Sequence, residues 1–163
     1  MIFSFFKKKE VKERGPLLKV DLHSHLIPGI DDGSQSMEES LSLLKGMEAL
    51  GYEKVITTPH IMLDAYRNTP ESITQGLHAL RQAAEEAGLT IEIEAAAEYY
   101  LDDGFEALLR KGDVLTIKGK YLLFETSYFA KPIRLEEMIF AISSSGYICL
   151  LYTSDAADDM QCV

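Results

Sequence analysis

A chain of 163 residues with 47% hydrophobic content is long enough for one domain around an ordinary buried core. Its formal net charge of −10, with no basic block beyond Lys7-Lys8-Lys9, argues against nucleic acid or anionic lipid as main partners. No apolar run is long enough to span a bilayer, so no stable membrane insertion is expected.

The stretch Met1-Ile2-Phe3-Ser4-Phe5-Phe6 precedes its lysines, the reverse of a secretory signal, and residues 1–15 read as a mobile leader. Val20 to His25 is the first strand. Alternation along it predicts Asp21, His23 and His25 on one face and Leu18, Val20 and Leu22 on the other. A tight turn follows at Pro28-Gly29-Ile30-Asp31-Asp32-Gly33. Ser36-Met37-Glu38-Glu39 has the form of a capping box, and Leu41, Leu44, Met47 and Leu50 then recur at helical spacing up to Gly51. Lys54 to Thr58 is a β-branched second strand stopped by Pro59, with His60 just beyond.

Thr69-Pro70 opens a second helix with Ile73, Leu77, Leu80, Ala84 and Ala87 as its buried stripe and Gly88 as its end. His78, one step off that stripe, reads as solvated. A third strand, Thr90 to Ala97, runs into Glu98. A short helix around Phe105, Leu108 and Leu109 ends near Gly112, and Val114 to Ile117 is expected to pair locally across Lys118-Gly119. Tyr121 to Phe124 is a fourth strand leading to Glu125. Leu135, Met138, Ile139 and Ile142 mark a further helix ending at Gly146, and Tyr147 to Leu151 a fifth strand. Strand and helix alternate throughout, which favours parallel strands joined by helical crossovers. Cys149 and Cys162 carry no redox information.

His23, His25, His60, Glu98 and Glu125 all fall at or just past predicted strand ends, where sites form in barrels and open α/β sheets. Each has an ordinary alternative: His60 as a loop histidine, or Glu98 on a solvated face with Glu92 and Glu94. Glu125 follows Leu122-Leu123-Phe124 and is expected to be buried, where a carboxylate needs a cation or donors. Tyr66 and Arg67, in the loop after His60, could meet an anionic substrate. Imidazole and carboxylate without thiolate suit Mn, Fe or Zn. A cluster of such ions serves metal-assisted hydrolysis through a metal-activated water.

The ordered set Asp21-Leu22-His23-Ser24-His25, Gly29-Ile30-Asp31-Asp32-Gly33-Ser34, Met37-Glu38-Glu39-Ser40, Thr57-Thr58-Pro59-His60, Ala95-Ala96-Ala97-Glu98-Tyr99-Tyr100 and Leu123-Phe124-Glu125 resembles the polymerase-and-histidinol-phosphatase (PHP) superfamily. Within it, the match is to bacterial manganese-dependent tyrosine phosphatases of capsule and exopolysaccharide synthesis. The resemblance implies an α/β fold over residues 16–147, a distorted TIM-like β/α barrel of the PHP type, here incomplete. It also implies a divalent metal cluster with Mn foremost and Fe or Zn as alternatives. His23 and His25 would hold one metal; Glu98 would bridge it to a second, which Glu125 also binds. Asp32 and His60 would serve the third, ahead of Asp31, and Asp21 would orient a histidine. Arg67 remains a candidate substrate contact. The implied substrate is a phosphotyrosine protein, the C-terminal tail of a bacterial tyrosine kinase, and the implied location is cytoplasmic.

After Gly146-Tyr147 the sequence departs from that pattern. The family's His-Pro-Glu-Arg segment and late Asp-x-His are absent from residues 148–163, which are expected to be a non-native, adapter-derived tail. The expectation is therefore an inactive fragment of an active phosphatase. Competing readings are a histidinol-phosphatase-like small-molecule phosphatase, a non-catalytic metal-binding scaffold, and an amidohydrolase, against which the Asp31-Asp32-Gly33 turn and the acidic ligands count.

Overall fold

The structure, a computed structural model, describes residues 18–127 and 132–152. The expected leader and residues 153–163 of the expected tail lie outside the described residues. The elements are β1 (Val20–Ser24), α1 (Met37–Leu50), β2 (Lys54–Thr57), β3 (His60–Ile61), α2 (Pro70–Glu86), β4 (Glu92–Ala95), β5 (Glu98–Tyr100), α3 (Asp103–Lys111), β6 (Tyr121–Glu125), α4 (Leu135–Ser144) and β7 (Ile148–Tyr152).

All paired strands are parallel, in the orders β1-β2-β4 and β3-β5-β6-β7. Past the second and third expected strands the chain resumes as β3 and β5, after breaks at Thr58-Pro59 and at Ala96-Ala97. Proline has no N–H to give a ladder, yet hydrogen bonding crosses both breaks, from Ala96 N to Thr57 O at 2.9 Å and from Glu98 N to Pro59 O at 3.0 Å. The strands thus run side by side in chain order. With right-handed crossovers, that order puts the connecting helices on one face, as in a barrel rather than a doubly wound sheet. Among the described residues β1 and β7 do not meet, so the barrel is open. Residues 148–152 of the expected tail pair in register with β6 from Tyr121–Ile148 to Glu125–Tyr152.

Leu44, Ile73, Leu80, Phe105 and Ile142 from the helices bury Val55, Ile93, Tyr99, Leu122 and Phe124 of the strands in one core. A smaller cluster of Ile56, Ala96 and Ile117, with Tyr121 and Leu150 against it, lies on the other face. The helix ends follow the sequence closely. Ser36 caps α1 by accepting from Glu39 N, and Gly51 closes it at φ 95°, a value that favours glycine. Thr69 and Ser72 form a reciprocal capping box on α2. One detail differs: the Glu39 carboxylate reaches Gln35 N at 2.8 Å rather than Ser36 N.

The simple alternation expected along β1 does not hold. Asp21 opposes Val55 while Ser24 opposes Thr57, so three steps on β1 match two on β2, as in a β-bulge that re-aims side chains near a site. Val20 and Leu22, expected on an apolar face, are 38% and 51% exposed.

Candidate metal centre

The breaks in the second and third strands place the chemistry. His60 opens β3 and Glu98 opens β5, and the two are register partners; Glu125 ends β6 opposite Tyr100. Their neighbours Ile61, Tyr99 and Phe124 are in the helix-side core. Strand alternation therefore turns His60, Glu98 and Glu125 to the opposite face. The bulged end of β1 brings His23, and the turn after it carries His25, Asp31 and Asp32. That turn closes from Ser34 N to His25 O at 3.0 Å. A Cβ at Gly33 would stand 2.3 Å from His25 Cβ, so only glycine lets the turn fold onto this histidine.

Glu98 is the hub. It is 1% exposed, and its Oε2 lies 3.4 Å from His25 Nε2, 3.9 Å from His23 Nε2 and 3.3 Å from His60 Nδ1. His60 Nδ1 is also 3.1 Å from Glu125 Oε1, and its Nε2 is 3.4 Å from Asp32 Oδ1. Three sets of ligand atoms each fall within 4.8 Å of one another: His23, His25 and Glu98; His25, Asp32 and His60; His60, Glu98 and Glu125. The six side chains expected as ligands are thus brought together. The expected burial of Glu125 is not what the structure has: its side chain is 22% exposed, whereas Glu98 and Asp31 are buried.

The surroundings fix the rings. His23 Nδ1 lies 2.7 Å from Thr58 Oγ1, and His25 Nδ1 lies 2.8 Å from Asp31 Oδ2. A proton on Nδ1 suits both contacts, and when the ring is neutral it leaves Nε2, on the Glu98 side, as the atom that can ligate. Asp31 also accepts from Gly33 N and His60 N, leaving Asp32 as the outward acid of the pair. Burial opposes protonation of His25, but Asp31 and Glu98 outweigh it and push the pKa up to about 9. Burial wins at His23, whose pKa is lowered. At His60 burial is overcome by Glu125 and Glu98, and the pKa is raised. Asp31 is lowered, since His25 and the Gly33 N–H outweigh its burial.

These residues fit divalent metal. With bonds of about 2.1 Å, two ligands on one ion stand roughly 3.0–3.4 Å apart, close to most of the separations above. Glu98 Oε1 and His60 Nδ1 are buried without a hydrogen-bond partner, and bound cations would satisfy both.

The Asp21 charge opposes, without overcoming, the lowering of the His23 pKa by burial, and its Oδ2 is buried without a hydrogen-bond partner; the Nδ1 contacts above come from Thr58 and Asp31. Arg67 stands apart from the ligand sets, exposed, with its Nε donating to Leu63 O at 2.9 Å. Tyr66 stacks on His60, with ring centroids 5.2 Å apart and planes at 16°. Sequence reasoning missed Thr58 and Asn68. Asn68 Nδ2 donates to Ile30 O and His60 O, tying the two ligand-bearing loops together. A hydroxyl just before Pro59-His60 was a usable signal for Thr58; nothing local marks Asn68.

The family model for capsular polysaccharide synthesis, CpsB/CapC, matches residues 19–155. CapC of Staphylococcus aureus is 25% identical over 133 residues, 81% of this chain and 52% of that protein. The tyrosine-protein phosphatase YwqE of Bacillus subtilis strain 168 is 24% identical over 130 residues, 79% and 51% of the two chains. The tyrosine-protein phosphatase CpsB of Streptococcus pneumoniae is 31% identical over 109 residues, 66% and 45%. A crystal structure from work on YwqE and CpsB, described as unique metal-dependent tyrosine phosphatases, superposes with a TM-score of 0.74 at 22% identity, over 81% of this chain and 54% of that one. At that identity the likeness shows the fold. The chain spans about half the length of the curated relatives it matches.

Proposed function

The chain belongs to the CpsB/CapC family of capsular polysaccharide synthesis, and from that premise we propose that its residues form the metal-binding part of a protein-tyrosine phosphatase. The observation that carries the reading is the convergence of His23, His25, Asp32, His60, Glu98 and Glu125 into overlapping ligand sets around one buried carboxylate. The proposed substrate is a phosphotyrosine protein, the tail of a bacterial tyrosine kinase, acted on in the cytoplasm. No helix among the described residues is long and apolar enough to cross a membrane. The proposed domain is 16–147, and the proposed metal is manganese.

Bound at these residues, divalent ions would supply Lewis acidity to a water and to a phosphoryl oxygen. The chain's own residues do the rest. Thr58 and Asp31 hold the ring protons of His23 and His25 at Nδ1, so that each Nε2 is free to ligate. His25 must lose a proton as metal binds, which couples loading to pH. Glu98, sealed from water, fixes the spacing of the imidazoles around it. Asp32 and the partly exposed Glu125 leave the outer side of the centre open to a phosphoryl group.

The test is phosphate release by the full-length gene product, stripped of metal and reloaded with Mn²⁺, from a phosphotyrosine peptide and from histidinol phosphate. Turnover of the peptide alone, lost in His23→Ala and in His60→Ala, is the expected result. Hydrolysis of histidinol phosphate alone would replace the reading with that of a small-molecule phosphatase.

A further inference from the structure

Beside the metal centre, on the other side of β3, is a cavity of about 270 Å³. Ile61, Met62, Leu63, Phe105 and Leu108 line it, with Arg67 also lining it. Residues 60 and 61 are adjacent on a strand and face opposite sides, so the cavity is separated from the ligands by the thickness of one strand. It is therefore not a place for the phosphoryl group itself or the ring attached to it.

Its walls are built into the site. Asp102 spends both carboxylate oxygens on framing it, accepting from Phe105 N at 2.9 Å and from Leu63 N at 2.8 Å. Asn68, also lining it, donates to the carbonyl of His60. The loop between carries Tyr66, which stacks on His60. The size is informative. Sites that enclose a drug-sized ligand run to ~300–1,000 Å³, and this cavity falls just below, at the scale of one bulky side chain. Leu63 is large, apolar and exposed. The Arg67 guanidinium, held by its Nε on Leu63 O, is a cation on a chain of formal charge −10, and Asp102, the lining acid, is occupied with backbone.

We propose that this cavity is a substrate-recognition pocket, taking a bulky apolar side chain of the substrate polypeptide while Arg67 meets an adjoining acidic residue. The proposal rests on the phosphotyrosine-protein reading above and names what lies next to the phosphorylated residue.

The test uses the 163-residue chain with Mn²⁺ and fluorescent phosphotyrosine peptides of serine and alanine. A Leu-Glu pair is moved through the positions on either side of the phosphotyrosine. One position of the pair is expected to bind at least tenfold tighter than the background peptide by anisotropy. Leu63→Trp, which enlarges an exposed lining residue, should abolish that gain and leave the affinity for phenyl phosphate unchanged. Arg67→Glu should turn the preference from Leu-Glu to Leu-Lys. The unphosphorylated Leu-Glu peptide should shift the methyl NMR signals of Leu63 and Leu108, with or without metal. Phosphopeptide binding that ignores the leucine, or a gain that survives Leu63→Trp, overturns the pocket and leaves the phosphatase reading standing. Shifts at Leu63 and Leu108 without any binding of phenyl phosphate would do the opposite.

Discussion

The two faces of the parallel sheet follow different rules, although they are one residue apart along every strand. Ile61, Tyr99 and Phe124 are sealed under the helices; His60, Glu98 and Glu125, their immediate neighbours, carry candidate ligand atoms. The second face has little apolar packing of its own, and Lys54 there is ion-paired with Glu92 and Glu94. Stability and chemistry are thus divided by a single step of backbone alternation. Adjacent substitutions should damage different properties, and that expectation can be broken by measurement.

The largest effect belongs to the helix side. Phe124 is 1% exposed, and Phe124→Ala should cost about 3–5 kcal/mol through lost burial and the cavity left behind. Glu125→Gln, one residue on, should leave the urea midpoint in EDTA within about 0.5 kcal/mol of the parent and lower Mn²⁺ affinity. Equal destabilisation by both changes would mean that the faces are not separate.

Glu98→Gln strikes the hub. It exchanges a carboxylate facing three imidazoles for a neutral amide that ligates poorly. In the proposed phosphatase, phosphate release should fall by about 10²–10³, the scale of losing one well-placed electrostatic group. Titration calorimetry of the 163-residue chain should show fewer Mn²⁺ ions bound. Undiminished stoichiometry would remove Glu98 from the centre.

Thr58→Val tests a supporting contact. The hydroxyl 2.7 Å from His23 Nδ1 can accept the ring proton there, which leaves Nε2 to ligate. Its loss should weaken metal binding by about 10–100-fold, as partners behind metal-bound histidines commonly do, without removing a ligand. Thr58→Ser, which retains the hydroxyl, should recover most of that affinity.

Much of this arrangement was legible because it is periodic or capped. Leu44, Ile73, Leu77, Leu80 and Ala84 recur at helical spacing and are buried, and Ser36, Thr69 and Gly51 mark helix ends with chemistry visible in one residue. The six candidate ligand side chains, which the structure brings together, stand in the sequence as an ordered set of short motifs. What escaped is what depends on register or long-range contact. The β1 bulge cannot be seen without β2 beside it. The breaks that start β3 and β5 were read as strand ends. The apolar run before Glu125 is local and points to burial there, whereas Glu98 is enclosed by β1, β3 and β6, far off in sequence. Asn68 matters through carbonyls of Ile30 and His60, contacts that no spacing announces.

The smallest expected effect is the most searching test of the comparison. Leu22 is 51% exposed at the edge strand β1, and threonine is as good a strand former. Leu22→Thr gives up at most part of the ~1.5–3 kcal/mol of a fully buried leucine, so its cost should stay below about 1 kcal/mol in urea unfolding. Leu122→Thr, at 0% exposure on the helix side, should cost several times as much, having both full burial and an unpaired hydroxyl against it. A cost at Leu22 approaching that at Leu122 would mean that β1 is covered in solution. The midpoint would then depend on protein concentration if a second copy supplies the cover. With no such dependence and a small cost, the open face stands as described: a surface that holds the candidate ligands in place while the helices opposite hold the fold.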